Sequence, residues 1–273
     1  MTGQVDARAI VHPTAKLADG VTVGPLAIIG EDVSVGENTV IGPHVIIERW
    51  TTIGARCRIG AGAVLGGAPQ HLQYNGSPSY LRIGDDNDIR ELAVIQRSAT
   101  PGGSTIIGSH NFIMSQTHVA HDCVLGDYVI MASLAALAGH VEVEDGAVVG
   151  GVTGVHQFVH IGMYSMVGGS SRLSQDVPPF MMVAGNPATV HGLNVVGLRR
   201  AGFSPALRRE LKAMYRMLYR SGLNIGQALA TIKRQSNLSA PVLHLVRFIE
   251  RSKRGICHNL GHSPHQYDGN DVL

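Results

Sequence analysis

The chain has 273 residues, with 22 Lys and Arg against 20 Asp and Glu, 34 Gly and few aromatics. That length allows one or two domains with a sizeable core, and the near-neutral balance gives no case for a nucleic-acid partner. Cys57, Cys123 and Cys257 are odd in number and far apart, which argues against a disulfide framework and for a reducing compartment. The opening MTGQVDARAI lacks a basic stretch followed by an apolar run. No secretory leader is expected, and a cytoplasmic location is. Residues 146–171 carry no formal charge and mimic a membrane span. The repeat described next explains them better, so no integral membrane segment is expected.

Counting by sixes from Val5 to Leu173 gives 29 positions, and all but three hold Val, Ile, Leu or Met. The exceptions are His71, Ser77 and Pro101. Six is neither the helical period nor the sheet period of two. It marks a parallel β-helix built from hexapeptides. A β-sandwich would show patches of period two instead. Gly follows the aliphatic residue repeatedly, as in Ile29-Gly30, Val35-Gly36, Ile41-Gly42, Ile53-Gly54, Ile59-Gly60 and Leu65-Gly66, and is read as easing a tight corner. Three hexads make a triangular coil of about 18 residues, and coils stack at roughly 4.8 Å.

In chain order, residues 1–65 are clean hexads, with His12 read as a corner residue. Segment 66–82, with two Pro and three Gly, reads as a loop thrown out from the coil. Hexads resume at Ile83, and a second excursion runs over 97–105 around Pro101-Gly102-Gly103. The repeat then continues from Ile107 to Leu173 and ends at Asp176-Val177-Pro178-Pro179. Ser204-Pro205 is a helix start, with Ser as cap and Pro at the first position. Leu207, Leu211, Met214 and Leu218 then form an apolar stripe, and Arg208, Lys212, Arg216 and Arg220 a basic one. Further helices are expected near Ile225–Arg234 and Val242–Arg251, capping the open end of the solenoid. The expected division is a β-helix over 1–190, a basic helical domain over 191–254 and a flexible tail over 255–273. Between Gly192 and Arg254 stand 13 Lys and Arg against Glu210 and Glu250. A segment charged +11 favours an acidic or phosphate-bearing partner.

The histidines are the candidate chemistry. Residues 18 apart lie above one another in successive coils. His140 follows His121 by 19 residues and precedes His156 by 16, so all three fall near one edge of the prism. Imidazole accepts a proton near neutral pH. Asp122 can orient its neighbour His121 only if a corner intervenes, because strand neighbours point to opposite faces.

At His118-Val119-Ala120-His121-Asp122-Cys123, Leu137-Ala138-Gly139-His140 and Val155-His156-Gln157-Phe158, the chain resembles the uridine diphosphate N-acetylglucosamine O-acyltransferases, which begin lipid A synthesis. The resemblance runs from Val11-His12-Pro13 through Gln175-Asp176-Val177-Pro178-Pro179 to Gly197-Leu198-Arg199-Arg200 and the helices. It implies a mainly β protein, a left-handed parallel β-helix with a C-terminal α-helical domain, assembled as a homotrimer with sites between subunits. It also implies that His121 is the general base, Asp122 its partner and the Gly139 amide an oxyanion donor. His118, His140, His156 and Gln157 would contact substrate, Gly169 would leave room for a long acyl chain, and Asn194 and Arg200 would meet the nucleotide. The donor would be a 3-hydroxyacyl chain on acyl carrier protein, the acceptor UDP-N-acetylglucosamine, and no cofactor or resident metal is implied. The family usually shows Asp and Lys where this chain has His71 and Gln73, an acid in place of Val196 and a base in place of Ala201. Those positions belong to the acceptor site, so a variant acting on a related nucleotide sugar, such as the 3-amino analogue, is the alternative. Two rivals share the hexads: a zinc carbonic anhydrase of the γ type, drawing on His118 and His121, and a non-catalytic scaffold. The related N-acyltransferase needs an additional N-terminal domain, for which hexads beginning at Val5 leave no room.

Overall fold

The computed structural model describes residues 3–259. Twenty-five short strands run from Ile10–Val11 to Arg172–Leu173, and each of the first twenty-two pairs in parallel with the strand three further along the chain. The result is a three-sided prism. A first face includes Ile46–Ile47, His118–Val119, Ala136–Leu137, Gly154–Val155 and Arg172–Leu173; a second includes Val124–Leu125, Glu142–Val143 and His160–Ile161; a third includes Ile130–Met131, Val148–Val149 and Met166–Val167. Val119 stacks on Leu137 and Leu137 on Val155, an interval of 18 residues. Of the repeat positions from Val23 to Leu173, every Val, Ile, Leu and Met is buried and fills the axis of the prism.

Both excursions are visible in the register. Ile53 stacks on Ile83, 30 residues on, and Ile83 on Ile107, 24 on. The first excursion therefore adds two hexads and the second one. His71, Ser77 and Pro101, the exceptions to the sixfold count, are the slots of those added hexads. The strands Val64–Gly67, Tyr80–Ile83 and Ser104–Ile107 reach into the expected loops, which narrows them to 68–79 and 97–103.

The corners differ from expectation in their chemistry. Gly30, Gly36, Gly54 and Gly60 do not supply the left-handed backbone. A Cβ on Gly36 would sit 2.5 Å from the Gly54 carbonyl carbon, and one on Gly54 at 2.5 Å from that of Gly84. These glycines answer to the close approach of adjacent coils. The left-handed residue comes two places later and is usually not Gly: Asp32, Arg56, Asp122 (φ 60°), His140 (φ 60°) and Phe158 (φ 64°). Such a residue costs roughly 1–2 kcal/mol, offset here by hydrogen bonds between coils such as His140 N–H to the His121 carbonyl at 3.1 Å.

Beyond Leu173 an antiparallel pair, Met181–Gly185 and Ala188–Leu193, extends the third face. Four helices follow: α1 (Val195–Arg200), α2 (Pro205–Arg220), α3 (Ile225–Lys233) and α4 (Ala240–Arg251). Ser204 caps α2 through Leu207 N–H, and Leu211, Met214 and Leu218 are buried as the stripe requires. Helix α1 was not legible. Its cap, Asn194, follows a strand rather than a turn signal. Helix α4 is clamped to the prism by Glu144, which accepts from His244 at 2.7 Å, Met163 N–H at 2.9 Å and the Arg251 guanidinium. Residues 255–259, assigned to the tail by composition, dock instead: Ile256 bridges Asp176 and Asn259 bridges Val190. His262 and His265 lie outside the described residues.

A polar ladder runs through the core at one corner. Buried Asn87 donates to the Gly84 and Gly108 carbonyls at 2.9 and 2.8 Å and accepts from Asn111 N–H at 3.0 Å. Asn87→Ala would orphan these groups, at roughly 1–3 kcal/mol for an unsatisfied buried partner. A thermal melt lowered by several degrees is the expected outcome; an unchanged melt would show the ladder to be dispensable.

Candidate active site

The corner joining the first face to the second carries the chemistry. Two columns stack there at the 18-residue interval: His121 over Gly139 and Gln157, and Asp122 over His140 and Phe158. The left-handed backbone at Asp122 turns its carboxylate back toward His121, and Nδ1 lies 2.8 Å from Oδ2. Both side chains are nearly buried. The ring of His140 packs edge-on to that of His121, centroids 5.3 Å apart, and stacks on Phe158 at 4.6 Å. The His140 Nε2 lies 3.8 Å from the same Asp122 oxygen.

The two excursions complete the corner. From the second, the Ser98 hydroxyl donates to Asp122 Oδ1 and Ala99 N–H donates to Oδ2 at 3.0 Å. Asp122 N–H is itself held by Thr105 Oγ1 at 2.8 Å. From the first, exposed His71 sets its ring edge-on to His121, centroids 5.1 Å apart. Buried Arg97 ties that loop down: it donates to the Gly66 carbonyl at 2.7 Å and to the Tyr74 hydroxyl at 3.3 Å, and stacks over Trp50. Ser98, Ala99, Thr105 and Arg97 were not singled out from the sequence. The Pro-Gly-Gly stretch signals a loop but not its register against Asp122.

Burial pushes the Asp122 carboxyl up, but donation from Ser98, His121 and Ala99 outweighs it and holds the group at about 2. An ionised carboxylate only accepts, so His121 carries a proton on Nδ1, and in the neutral ring Nε2 is the nitrogen without one. Burial lowers His140, and the Asp122 charge partly offsets this. Burial also lowers His118, aided by nearby His121.

The other expected residues divide. His118 and His156 line a groove of about 450 Å³ on the first face, together with Ala136, Ala138, Gly154 and Arg172. His156 begins the same turn as Gln157 and Phe158, yet its ring faces this groove. On the other side of the corner a cavity of about 580 Å³ has Asp122, His140 and His160 facing Arg251, Lys253 and Arg254. Gly169 lies on the corner at the opposite edge of the first face and is exposed. Gln73 is exposed on the first excursion, where its N–H reaches His71 Nδ1 at 3.3 Å. Asn194 spends its amide on the fold, donating to the Tyr164 carbonyl at 2.9 Å and capping α1 through Gly197 N–H. Arg200 is exposed at the end of α1. Within one chain, then, Asn194 and Arg200 are not brought to the His121 corner.

A prism of hexapeptide coils with a carboxylate-oriented imidazole at one corner defines a transferase of the hexapeptide class, and the comparisons agree. The model described as "Bacterial transferase hexapeptide (six repeats)" matches residues 32–67 and 104–139, and "Udp N-acetylglucosamine O-acyltransferase; Domain 2" matches residues 176–257. The acyl-[acyl-carrier-protein]--UDP-N-acetylglucosamine O-acyltransferase of Verminephrobacter eiseniae is 51% identical over 257 residues, covering 90% of this chain and 98% of the relative. The solved UDP-N-acetylglucosamine O-acyltransferase of Moraxella catarrhalis superposes with a TM-score of 0.90 at 40% identity, over 93% of this chain and 99% of that one. The Francisella novicida enzyme gives 0.91 at 35% identity, over 94% and 95%. The chain belongs to the acyl-[acyl-carrier-protein]–UDP-N-acetylglucosamine O-acyltransferase family. Neither the anhydrase nor the scaffold reading is favoured by these relatives.

Gly139 has a steric duty beyond any use of its amide. A Cβ there would lie 2.6 Å from Cε1 and 2.8 Å from Nε2 of His121. Gly139→Ala should therefore displace the imidazole with little effect on folding. A displacement near 1 Å costs about 10²-fold in rate. A structure of the variant showing the ring unmoved would contradict the steric account.

Proposed function

We propose that the protein transfers a 3-hydroxyacyl chain from acyl carrier protein to the 3-hydroxyl of the glucosamine ring of UDP-N-acetylglucosamine, the first step of lipid A synthesis. The observation that carries this reading is the His121–Asp122 pair, which holds the ring through Nδ1 and leaves Nε2 beside Gly139. A sugar hydroxyl is a poor nucleophile, and a positioned base contributes roughly 10²–10⁴ in rate. His121 Nε2 takes the hydroxyl proton as the oxygen attacks the thioester carbon. The resulting oxyanion accepts from Gly139 N–H, which donates to no other group among the described residues. One such donor is worth about 10²–10³. Collapse breaks the carbon–sulfur bond, and the imidazolium returns the proton to the departing thiolate. Products are the sugar ester and the free carrier thiol.

The surfaces fit these substrates. Small side chains under the first-face groove leave room for a hydrocarbon chain, with His118 and His156 at its polar rim. The wall of Arg251, Lys253 and Arg254 suits phosphate or an acidic carrier protein. Asn194, Arg200 and Gly169 would join the site only from a neighbouring copy. An apolar ridge supports such an assembly. Leu26, Leu92, Leu134 and Val152, on the corner joining the third face to the first, are 50–61% exposed, and a homotrimer would bury them. No helix of the described residues is long and apolar enough to cross a membrane, and a cytoplasmic site of action suits the carrier-protein donor.

The deciding assay offers 3-hydroxyacyl carrier proteins of several lengths to UDP-N-acetylglucosamine and to its 3-amino analogue, with the product weighed by mass spectrometry. Acylation of the 3-hydroxyl is expected; acylation of neither sugar overturns the assignment. His121→Ala should cost at least a hundredfold in kcat with ligand binding kept. Asp122, at about 2, stays ionised through the working range. The pH–rate profile of kcat/KM should then show no carboxylate break in the ordinary Asp range, about 4; such a break would give Asp122 a titrating role. Light scattering should return three times the 28.9 kDa chain mass. Leu92→Asp with Leu134→Asp should reduce it toward one; a wild-type monomer would remove the shared site.

A further inference from the structure

The corner holds more ligand-capable atoms than acyl transfer uses. His121, Asp122 and His140 each offer one such atom, all within 4.8 Å of one another. His71, which stands where the resemblance expects an acid, adds a third imidazole at 5.1 Å between ring centres from His121. It rides on the 68–79 excursion, outside the stacked coils, and is itself exposed. We propose that these four side chains form a site for a divalent transition-metal ion of the zinc, nickel or copper class, and that filling it switches the enzyme off.

Imidazole nitrogens with one carboxylate are the donor set such ions prefer over magnesium or calcium. Zinc takes four ligands tetrahedrally at about 2.0–2.2 Å, so neighbouring ligand atoms stand about 3.4 Å apart. The three ligand atoms, now within 4.8 Å of one another, must close by up to about 1.4 Å, within reach of side-chain rotation. The carboxylate is already aimed, by Ser98 and Ala99 N–H, and such outer-shell partners are what orient metal ligands. A base acts through its free nitrogen lone pair, and a nitrogen bound to metal has none to offer. Occupancy and catalysis thus exclude each other, the reverse of the anhydrase reading, in which metal would activate. The inhibitory half of the proposal rests on the acyltransferase reading; the binding half does not.

The test uses the full chain stripped with chelator, titrated with Zn2+ by calorimetry and with Co2+ by visible absorption. One ion per subunit is expected at this corner. Affinity should fall at least tenfold in His121→Ala and in His140→Ala, and be unchanged when His262 and His265 are replaced. His71→Gln should convert the intense tetrahedral Co2+ absorption to the weak octahedral form; an unchanged spectrum removes His71 from the site. Because losing an imidazole can disturb the corner, X-ray absorption of the zinc-loaded wild type gives a second reading, two or three imidazole nitrogens plus a carboxylate oxygen. No binding, or binding indifferent to both His121→Ala and His140→Ala, overturns the proposal. Zn2+ should also abolish acyl transfer with the midpoint of the binding curve, reversed by chelator. Bound zinc with undiminished transfer overturns the inhibitory half, whereas absence of transfer in the metal-free enzyme counts against the acyltransferase reading and leaves the titration to decide the site.

Discussion

Parallel stacking of coils, each residue above the one eighteen places earlier, is the constraint on which the molecule depends. It converts sequence separation into contact. His121 meets Gly139, and Asp122 meets His140, because the hydrogen bonds between coils admit no other register. The same stacking drives Gly into the positions where neighbouring backbones nearly touch. It also lets a chain with few aromatics fill a long core with Val, Ile and Leu.

The functional corner is an elaboration of the repeat rather than a departure from it. From Gly20 to Ser170 each corner places a residue in the left-handed region. At Asp122 that turn brings the carboxylate beside the preceding imidazole, an arrangement unavailable along a straight strand. The excursions insert whole hexads, so the aliphatic register survives them. Their cost in loop closure grows only slowly with length, and they return groups that the flat faces cannot present: Ser98 and Ala99 to hold Asp122, and His71 to face His121.

Much of this was legible because the repeat is strict. A period of six admits one architecture, and the Ser204-Pro205 cap with the Leu211, Met214 and Leu218 stripe admits one kind of helix. The pairing of His121 with Asp122 followed once a corner could be assumed. What the residues alone did not show has physical reasons. A loop's length reveals neither its bend nor its contacts, so Ser98 and Arg97 were invisible as supports. Left-handed corners occupied by Asp, His, Phe or Leu carry no local signature, since stacking enforces them against propensity. The role of the recurrent Gly was misread for the same reason: its demand comes from the next coil rather than its own dihedral angles. Asn194, expected to meet a nucleotide, shows its commitment to α1 and Tyr164 only in three dimensions.

A carboxylate that stays charged, an imidazole fixed by it and a glycine that leaves the ring space together set which nitrogen of that ring can take a proton. The sharpest test is the protonation pattern of that ring. Selective ¹⁵N labelling of histidine, with His121 assigned by its substitution, reports the tautomer directly at neutral pH. The account predicts a protonated Nδ1 bonded to Asp122 and an unprotonated Nε2. The opposite tautomer, with its proton on the nitrogen that should receive one from substrate, would contradict it.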